Sequence, residues 1–259
     1  MSLVSQHPGV SVIIPCFNSA KTLARALESC LSQTDAAQII VVDDGSQDAS
    51  AAVAKFYSLK DRRVELVQMP ENGGPARARN HGAKVAGHPI LAFLDADDEY
   101  QPGALATAAL YLRNTPRQPA VRFSADFSDF PADLRAFPDF ERHADIMSDT
   151  VASTLVIQRA TFLALGGFPT DEVFRRYGGE DSALSNAIID IYGCYRLEAR
   201  KGVRVHYHPG SHVALYFSRA GGAETPFDEH WATTEAIQQF VARARTAMSG
   251  TAESTIDQA

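Results

Sequence analysis

Pro89-Ile90-Leu91-Ala92-Phe93-Leu94 runs directly into Asp95-Ala96-Asp97-Asp98, so an apolar stretch ends in a knot of carboxylates. A run this short and this apolar, with a proline at one end and acids at the other, reads as a strand buried on both faces. The acids then stand at its mouth. Asp95 and Asp97 are two apart, and alternate side chains of an extended chain point the same way. Both can therefore address one hard divalent ion and a diphosphate bound to it. A solvated turn is the other reading, since Asp is common where strands end. The sequence upstream separates the two.

Working outward from that stretch, the first hundred or so residues alternate short apolar runs with helix-period segments, the pattern of a parallel α/β sheet. Residues 10–15 read as a buried strand, followed by a helix capped at Asn18 or Ser19 with Leu23, Leu27, Cys30 and Leu31 on one face. A second strand over 38–43 closes on the turn Asp44-Gly45-Ser46, and a helix follows over about 48–58. Residues 64–67 form a third strand, broken by Asn72-Gly73-Gly74-Pro75 before a basic helix through Ala86. The fourth strand is 90–94, with a helix expected over about 102–113. Ligand groups of such sheets sit at strand C-terminal ends, where Asp43, Asp44, Asp95 and Asp97 all fall. Past 114 the regularity fades. Phe123, Phe127, Phe130, Phe137 and Phe140 read as core and lid packing, 154–157 as a strand, 159–165 as a short helix, and Gly178-Gly179-Glu180-Asp181 as the opening of another.

The chain has 259 residues, 45% hydrophobic and 21% charged, an ordinary globular composition. Its formal net charge of -7 argues against nucleic acid as a partner, because binding phosphates wants a basic face. Cys16, Cys30 and Cys194 have neither paired nor metal-ligand spacing and read as reduced thiols. No segment reaches the roughly 18 to 20 apolar residues that span a bilayer, and Met1 to His7 lacks the features of a signal peptide. A cytoplasmic protein without a transmembrane segment is the expectation, with peripheral membrane association left open.

Several stretches together resemble the inverting glycosyltransferases of family 2. Val12-Ile13-Ile14-Pro15-Cys16-Phe17-Asn18 is similar to the family's first strand and turn, with Phe17 in place of the usual tyrosine. Val41-Val42-Asp43-Asp44-Gly45-Ser46-Gln47-Asp48 matches the second motif, and 72–82, from Asn72-Gly73-Gly74-Pro75 to Gly82, the third. Phe93-Leu94-Asp95-Ala96-Asp97-Asp98 resembles the metal motif, and Gly179-Glu180-Asp181 the acidic pair before the catalytic helix. The resemblance covers roughly residues 10–215 and departs in two places. Ser185 and Ala187 stand where the family commonly has a tryptophan and an arginine, and His206 and Tyr207 where it has two arginines.

The resemblance implies an α/β, nucleotide-diphospho-sugar transferase (type A glycosyltransferase) fold, a Rossmann-like, mostly parallel central sheet flanked by helices. It implies one domain over 1–259: a donor-binding half at 10–114, an acceptor and catalytic half at 115–215, a helical extension at 216–248 and a flexible tail at 249–259. The partners implied are a nucleotide-sugar donor, UDP-linked, and a sugar, glycan or lipid-linked acceptor. The activity implied is metal-dependent transfer with inversion, in glycan or cell-surface polysaccharide biosynthesis.

In that frame Asp44 can accept a hydrogen bond from a uracil imide, although thymine or guanine would also serve and an Asx turn uses the same residue. Pro15, Phe17 and Asn18 would shape the wall around base and ribose, with Asn72, Gly74, Asp95 and Ala96 completing the nucleotide site. Arg77 and Arg79 open a helix, where basic groups oppose the dipole and want an anion, either the donor or a neighbouring carboxylate. Asp97, Asp95 and His208 are the candidate ligands of Mn2+ or Mg2+, and an imidazole tilts the choice to Mn2+. His208 is placed by its His-Pro-Gly-Ser context, with His206 and His212 as neighbours. Asp181 is the candidate base that takes the acceptor's proton, and Glu180 would orient the acceptor, although both acids also suit a helix start. A non-catalytic nucleotide-sugar-binding module and a nucleotidyltransferase are the competing functions; the latter usually needs a glycine-rich loop after its first strand, where this chain has Pro15 to Lys21 and no glycine.

Overall fold

Alternation along the first strand, β1 (Val10–Cys16), sends Val12 and Ile14 to one face and Ile13 to the other, and all three are fully buried. A strand apolar on both sides belongs inside a sheet covered on both sides. In the computed structural model, which describes residues 9–222 and 227–256, β1 pairs in parallel with β2 (Ala36–Asp43) and with β4 (Ile90–Phe93). β3 (Val64–Gln68) adds to β2, also in parallel. The other strands are β5 (Glu99–Tyr100), β6 (Ala120–Asp126), β7 (Leu155–Gln158) and β8 (Tyr195–Arg204). Together they form one eight-stranded sheet in the order β3-β2-β1-β4-β7-β6-β8-β5. β7 runs antiparallel to β4 and β6, β8 parallel to β6, and β5 antiparallel to β8.

Helices α1 (Leu23–Leu31), α2 (Ser50–Lys60) and α3 (Pro75–Val85) cross between the parallel strands. α1 buries Leu23, Ala26, Leu27 and Cys30, close to the expected face. α3 buries only Ala78, Arg79, Gly82 and Ala83, and it lies so near β1 that a Cβ on Gly82 would meet the Ile13 side chain at 2.5 Å. Small residues let that helix sit low, and Arg79 is the exception. The remaining helices are α4 (Ala104–Asn114), α5 (Ala132–Arg135), α6 (Phe140–Thr150), α7 (Arg159–Ala164), α8 (Glu172–Tyr177), α9 (Glu180–Tyr192), α10 (His212–Ala220) and α11 (Phe227–Ile256), with a 3₁₀ turn at Ala152–Thr154.

Two expectations need correction, and three elements go unannounced by the sequence. Neither Asn18 nor Ser19 caps α1; Thr22 holds that position, while the Asn18 side chain accepts from Gln47 N–H (2.8 Å). Beyond Asp126 the chain forms α5 and α6, and Phe130, Phe137 and Phe140 pack around Phe217 of α10. β8 carries Arg196, Glu198, Arg200 and Lys201, is mostly exposed until Gly202, and has no apolar run to announce it. α11 continues as helix to Ile256, where the sequence suggests a flexible tail from 249. Residues 257–259 of that tail, and the leader expectation at residues 1–7, lie outside the described residues. Among the described residues no helix is long and apolar enough to cross a membrane.

Candidate active site

The loops after β1, β2 and β3 meet at the C-terminal edge of the sheet and hold one another. Asp44 is buried, and its carboxylate accepts from the N–H groups of Gly73 (2.9 Å) and Gly74 (2.8 Å), tying the second motif to the third. Each oxygen keeps lone-pair capacity for a further donor. Asn18, at φ +50°, donates its N–H to Ser46 Oγ (2.9 Å), and Asp48 accepts from Ala20 N–H (3.0 Å) and from Ser50, whose hydroxyl chiefly holds the Asp48 carboxyl below the usual range. Gly45 makes the turn possible: it sits at φ +77°, and a Cβ there would lie 3.0 Å from the Asn72 backbone nitrogen. Asp43 accepts from Ser46 N–H and braces its own loop. Around this frame Pro15 and Gly74 are half-buried, Asn72 is exposed, and Phe17 shows 46% of its surface to solvent.

The acidic loop after β4 is built differently. Asp98 is buried and accepts from Ser153 Oγ (2.8 Å) and His206 N–H (3.3 Å); burial first, then the charges of Asp97 and Asp95, push its carboxyl well up. The Ser153 hydroxyl also accepts from Asp95 N–H (3.0 Å), so the turn is pinned from behind. Ala96 is buried between Asp95 and Asp97, both half-buried. Asp97 Oδ2 lies 2.6 Å from His208 Nε2, which joins positions 111 residues apart. His206 instead faces Glu99 and Asp129, and His212 abuts Gly178.

Arg79 links this loop to the acidic pair. It is 5% exposed, with Nη2 2.6 Å from Asp95 Oδ1 and Nη1 3.3 Å from Glu180 Oε1. The carboxylate partner expected as one alternative for Arg79 is thus present twice over. Asp181 follows Glu180 in the first turn of α9, and its carboxyl is pushed up to about 6 by burial, then by the charge of Glu180, against the pull of Arg79. Arg77 points elsewhere. It is exposed beside Gly73 and lines a separate cleft of about 700 Å³ with His81 and Lys84, which none of the acidic-cluster carboxylates reaches.

As a divalent-cation site, Asp97 and His208 fit: a carboxylate oxygen and an imidazole nitrogen already meet, a donor pair suited to Mn2+. Asp95 turns to Arg79, and among the described residues no three His, Cys, Asp or Glu side chains gather as a ligand set. A bound diphosphate would have to complete the shell. Sequence reasoning misses Ser153, which grips the acidic loop, and Arg122, buried in β6 with its guanidinium on Val151 O, Thr154 Oγ1 and Ser185 Oγ. Arg122 had a signal, a charge inside Ala120-Val121-Arg122-Phe123; Ser153 had none.

The family model described as "Glycosyl transferase family 2" matches residues 11–145, about half the chain. The succinoglycan biosynthesis protein ExoU of Rhizobium meliloti is 40% identical over 130 residues, 50% of this chain and 34% of that protein, so the chain spans about a third of this relative's length. S. aureus TarS in complex with UDP-GlcNAc superposes with a TM-score of 0.67 at 20% identity, covering 90% of this chain and 66% of that one. The mannosyltransferase PcManGT from Pyrobaculum calidifontis, in complex with GDP-Man and Mn2+, gives 0.63 at 21% identity over 96% and 76%. Those two likenesses show the fold, the type A glycosyltransferase architecture of a mostly parallel sheet between helices. With the family model spanning the motif-bearing strands and loops, the chain belongs to glycosyl transferase family 2.

Proposed function

We propose that this protein transfers a sugar from a UDP-sugar to an acceptor hydroxyl with inversion, in a metal-dependent reaction of glycan or cell-surface polysaccharide biosynthesis. The observation that supports the reading is the Arg79 bridge: one guanidinium pairs with Asp95 and with Glu180, and so brings the neighbouring Asp181 to the side of the acidic loop. Asp44 would accept from the base's imide, Pro15, Phe17, Asn18, Asn72 and Gly74 would enclose base and ribose, and Asp95 with Ala96 would meet the ribose. Asp97 and His208 would hold Mn2+, which when bound spreads the negative charge of the departing diphosphate. Asp181 takes the proton of the acceptor hydroxyl as the new C–O bond forms at the anomeric carbon and the nucleoside diphosphate leaves from the opposite face. A carboxyl raised to about 6 is still ionised at neutral pH and is a stronger base than an ordinary Asp. Glu180, held by Arg79, orients the acceptor, and Arg79 has little freedom to bind the donor directly.

ExoU is named for succinoglycan biosynthesis, and the two solved structures hold UDP-GlcNAc and GDP-Man, which supports a nucleotide sugar as donor here. The test is a panel of nucleotide sugars with and without Mn2+, read first as thermal stabilisation and then as donor turnover. A UDP-sugar should stabilise the protein only with the metal, and Asp181→Ala should abolish turnover while UDP still binds. Turnover that survives in Asp181→Ala would refute the assignment of the base.

A further inference from the structure

Arg122 lies in the middle of β6, outside every motif, and is 2% exposed. A guanidinium in the interior is costly unless its donors are met and its charge is answered. Neutral oxygens meet the two terminal nitrogens: Nη1 donates to Val151 O (2.9 Å) and Thr154 Oγ1 (2.8 Å), and Nη2 to Ser185 Oγ, while the buried Nε has no hydrogen-bond partner. Among the described residues no carboxylate stands within ion-pair distance of Arg122, although it feels the charges of Asp181 and Asp149, with the Cys194 thiol beside it. Its bonding partners carry the chemistry. Ser185 Oγ donates to the Asp181 carbonyl (2.6 Å), one helical turn back along α9. Val151 and Thr154 flank Ser153, whose hydroxyl grips Asp98 and the Asp95 N–H.

We propose that Arg122 is a positioning residue: from behind the cleft it locks the first turns of α9 to the loop carrying Asp95 and Asp97, and it supplies Asp181 with a second cation besides Arg79. The inference rests on Asp181 being the base. Among the described residues the charged groups that act on Asp181 are Glu180 on its own helix, Arg79 from α3, Asp95 from the acidic loop and Arg122 from β6. Arg79 is shared between Asp95 and Glu180, so of these two cations Arg122 is the one that no described carboxylate engages directly. Its bonds are buried and anchored at both ends, which suits holding a distance fixed.

The decisive experiment titrates the Asp181 carboxyl by carbon-13 NMR in ligand-free protein, assigned through Asp181→Asn, and needs no turnover. Removing a nearby cation raises a carboxyl's pKa, so Arg122→Gln should move the midpoint up while Arg122→Lys leaves it in place. An unmoved midpoint in Arg122→Gln overturns the proposal. Should the Arg122 variants fail to fold, Ser185→Ala cuts the link to α9 by removing one oxygen. Its kcat, with the best donor of the panel, should fall about tenfold. KM and UDP affinity should stay within about twofold, and Ser185→Thr should restore the rate. An unchanged kcat, or an equal loss in KM, overturns it as well. Failure of the functional reading looks different: no nucleotide sugar is turned over, or Asp181→Asn stays active, and the NMR midpoint still decides what Arg122 does.

Discussion

The loops after β1, β2 and β3 and the cluster around Asp95, Asp181 and Arg79 lie at the same sheet edge and are held by opposite means. In the first region acids are answered by backbone N–H groups: Asp44 by Gly73 and Gly74, Asp48 by Ala20 and Ser50. In the second, Asp95 and Glu180 share the buried Arg79, Asp181 lies in its field, and the carboxyls of Asp98 and Asp181 are pushed up by burial and by neighbouring like charge. A region that satisfies its own polar groups adds to stability. A region that concentrates like charge subtracts from it and gains reactive groups, the trade commonly seen at active sites.

The sharpest way to break that contrast is to mutate one acid from each region and read stability. Asp44→Ala leaves two N–H groups without their acceptor, one of them buried, and should cost about 3 kcal/mol, a loss on the order of 10 °C in melting temperature for a domain of this size. Asp181→Asn should do the reverse. The folded carboxyl sits at about 6 against an ordinary 3.8, so its ionised form is disfavoured by folding. The relative stability it contributes is therefore present below about 3.8 and lost as pH rises through about 6. Removing the charge should stabilise the protein at pH near 8 by about 1–3 kcal/mol and leave it unchanged near pH 3.5. Calorimetric melts at the two pH values check both signs, and a destabilised Asp181→Asn at pH near 8 would erase the distinction.

A smaller effect separates the two acids of one loop. Asp97 and His208 are 33% and 49% exposed at their side chains and hold no backbone through them, so Asp97→Ala or His208→Ala should leave the melting temperature unchanged. Titration calorimetry should show the Mn2+-dependent part of UDP affinity falling by about tenfold or more. Asp98→Ala removes the acceptor of Ser153 Oγ and His206 N–H, so it should lower the melting temperature by several degrees, about 1–2 kcal/mol.

The same contrast explains what the sequence revealed. β1 to β4 and their crossovers were legible because each is a local pattern, an apolar run followed by a turn at a strand end, and Asp44, Asp95 and Asp97 stand in order along it. The pairing of Asp97 with His208 followed from motif context. What stayed hidden depends on partners far away in the chain: Ser153 reaches back 55 residues to Asp98, and Arg122 reaches forward 63 to Ser185. No periodicity encodes such contacts. β8 escaped because exposure on both sides leaves it polar, and α6 because its apolar residues serve an aromatic cluster with Phe217 that local spacing cannot reveal.

Phe17 offers the finest test of the first region. It is a large apolar side chain left 46% exposed on the loop after β1, so folding gains little from it. An aromatic wall against a base and ribose would explain the exposure, because a stacked ring is worth about 1 kcal/mol. Phe17→Ala should then weaken UDP by roughly fivefold, weaken uridine by the same factor, and leave both the melting temperature and the Mn2+ dependence alone. Phe17→Tyr keeps the ring and should bind as the parent does. Asp97→Ala should spare uridine, which has no diphosphate, so the ratio of UDP to uridine affinity tells wall from metal. Loss of UDP affinity in Phe17→Ala without loss of uridine affinity would move Phe17 to the phosphate side and out of the wall.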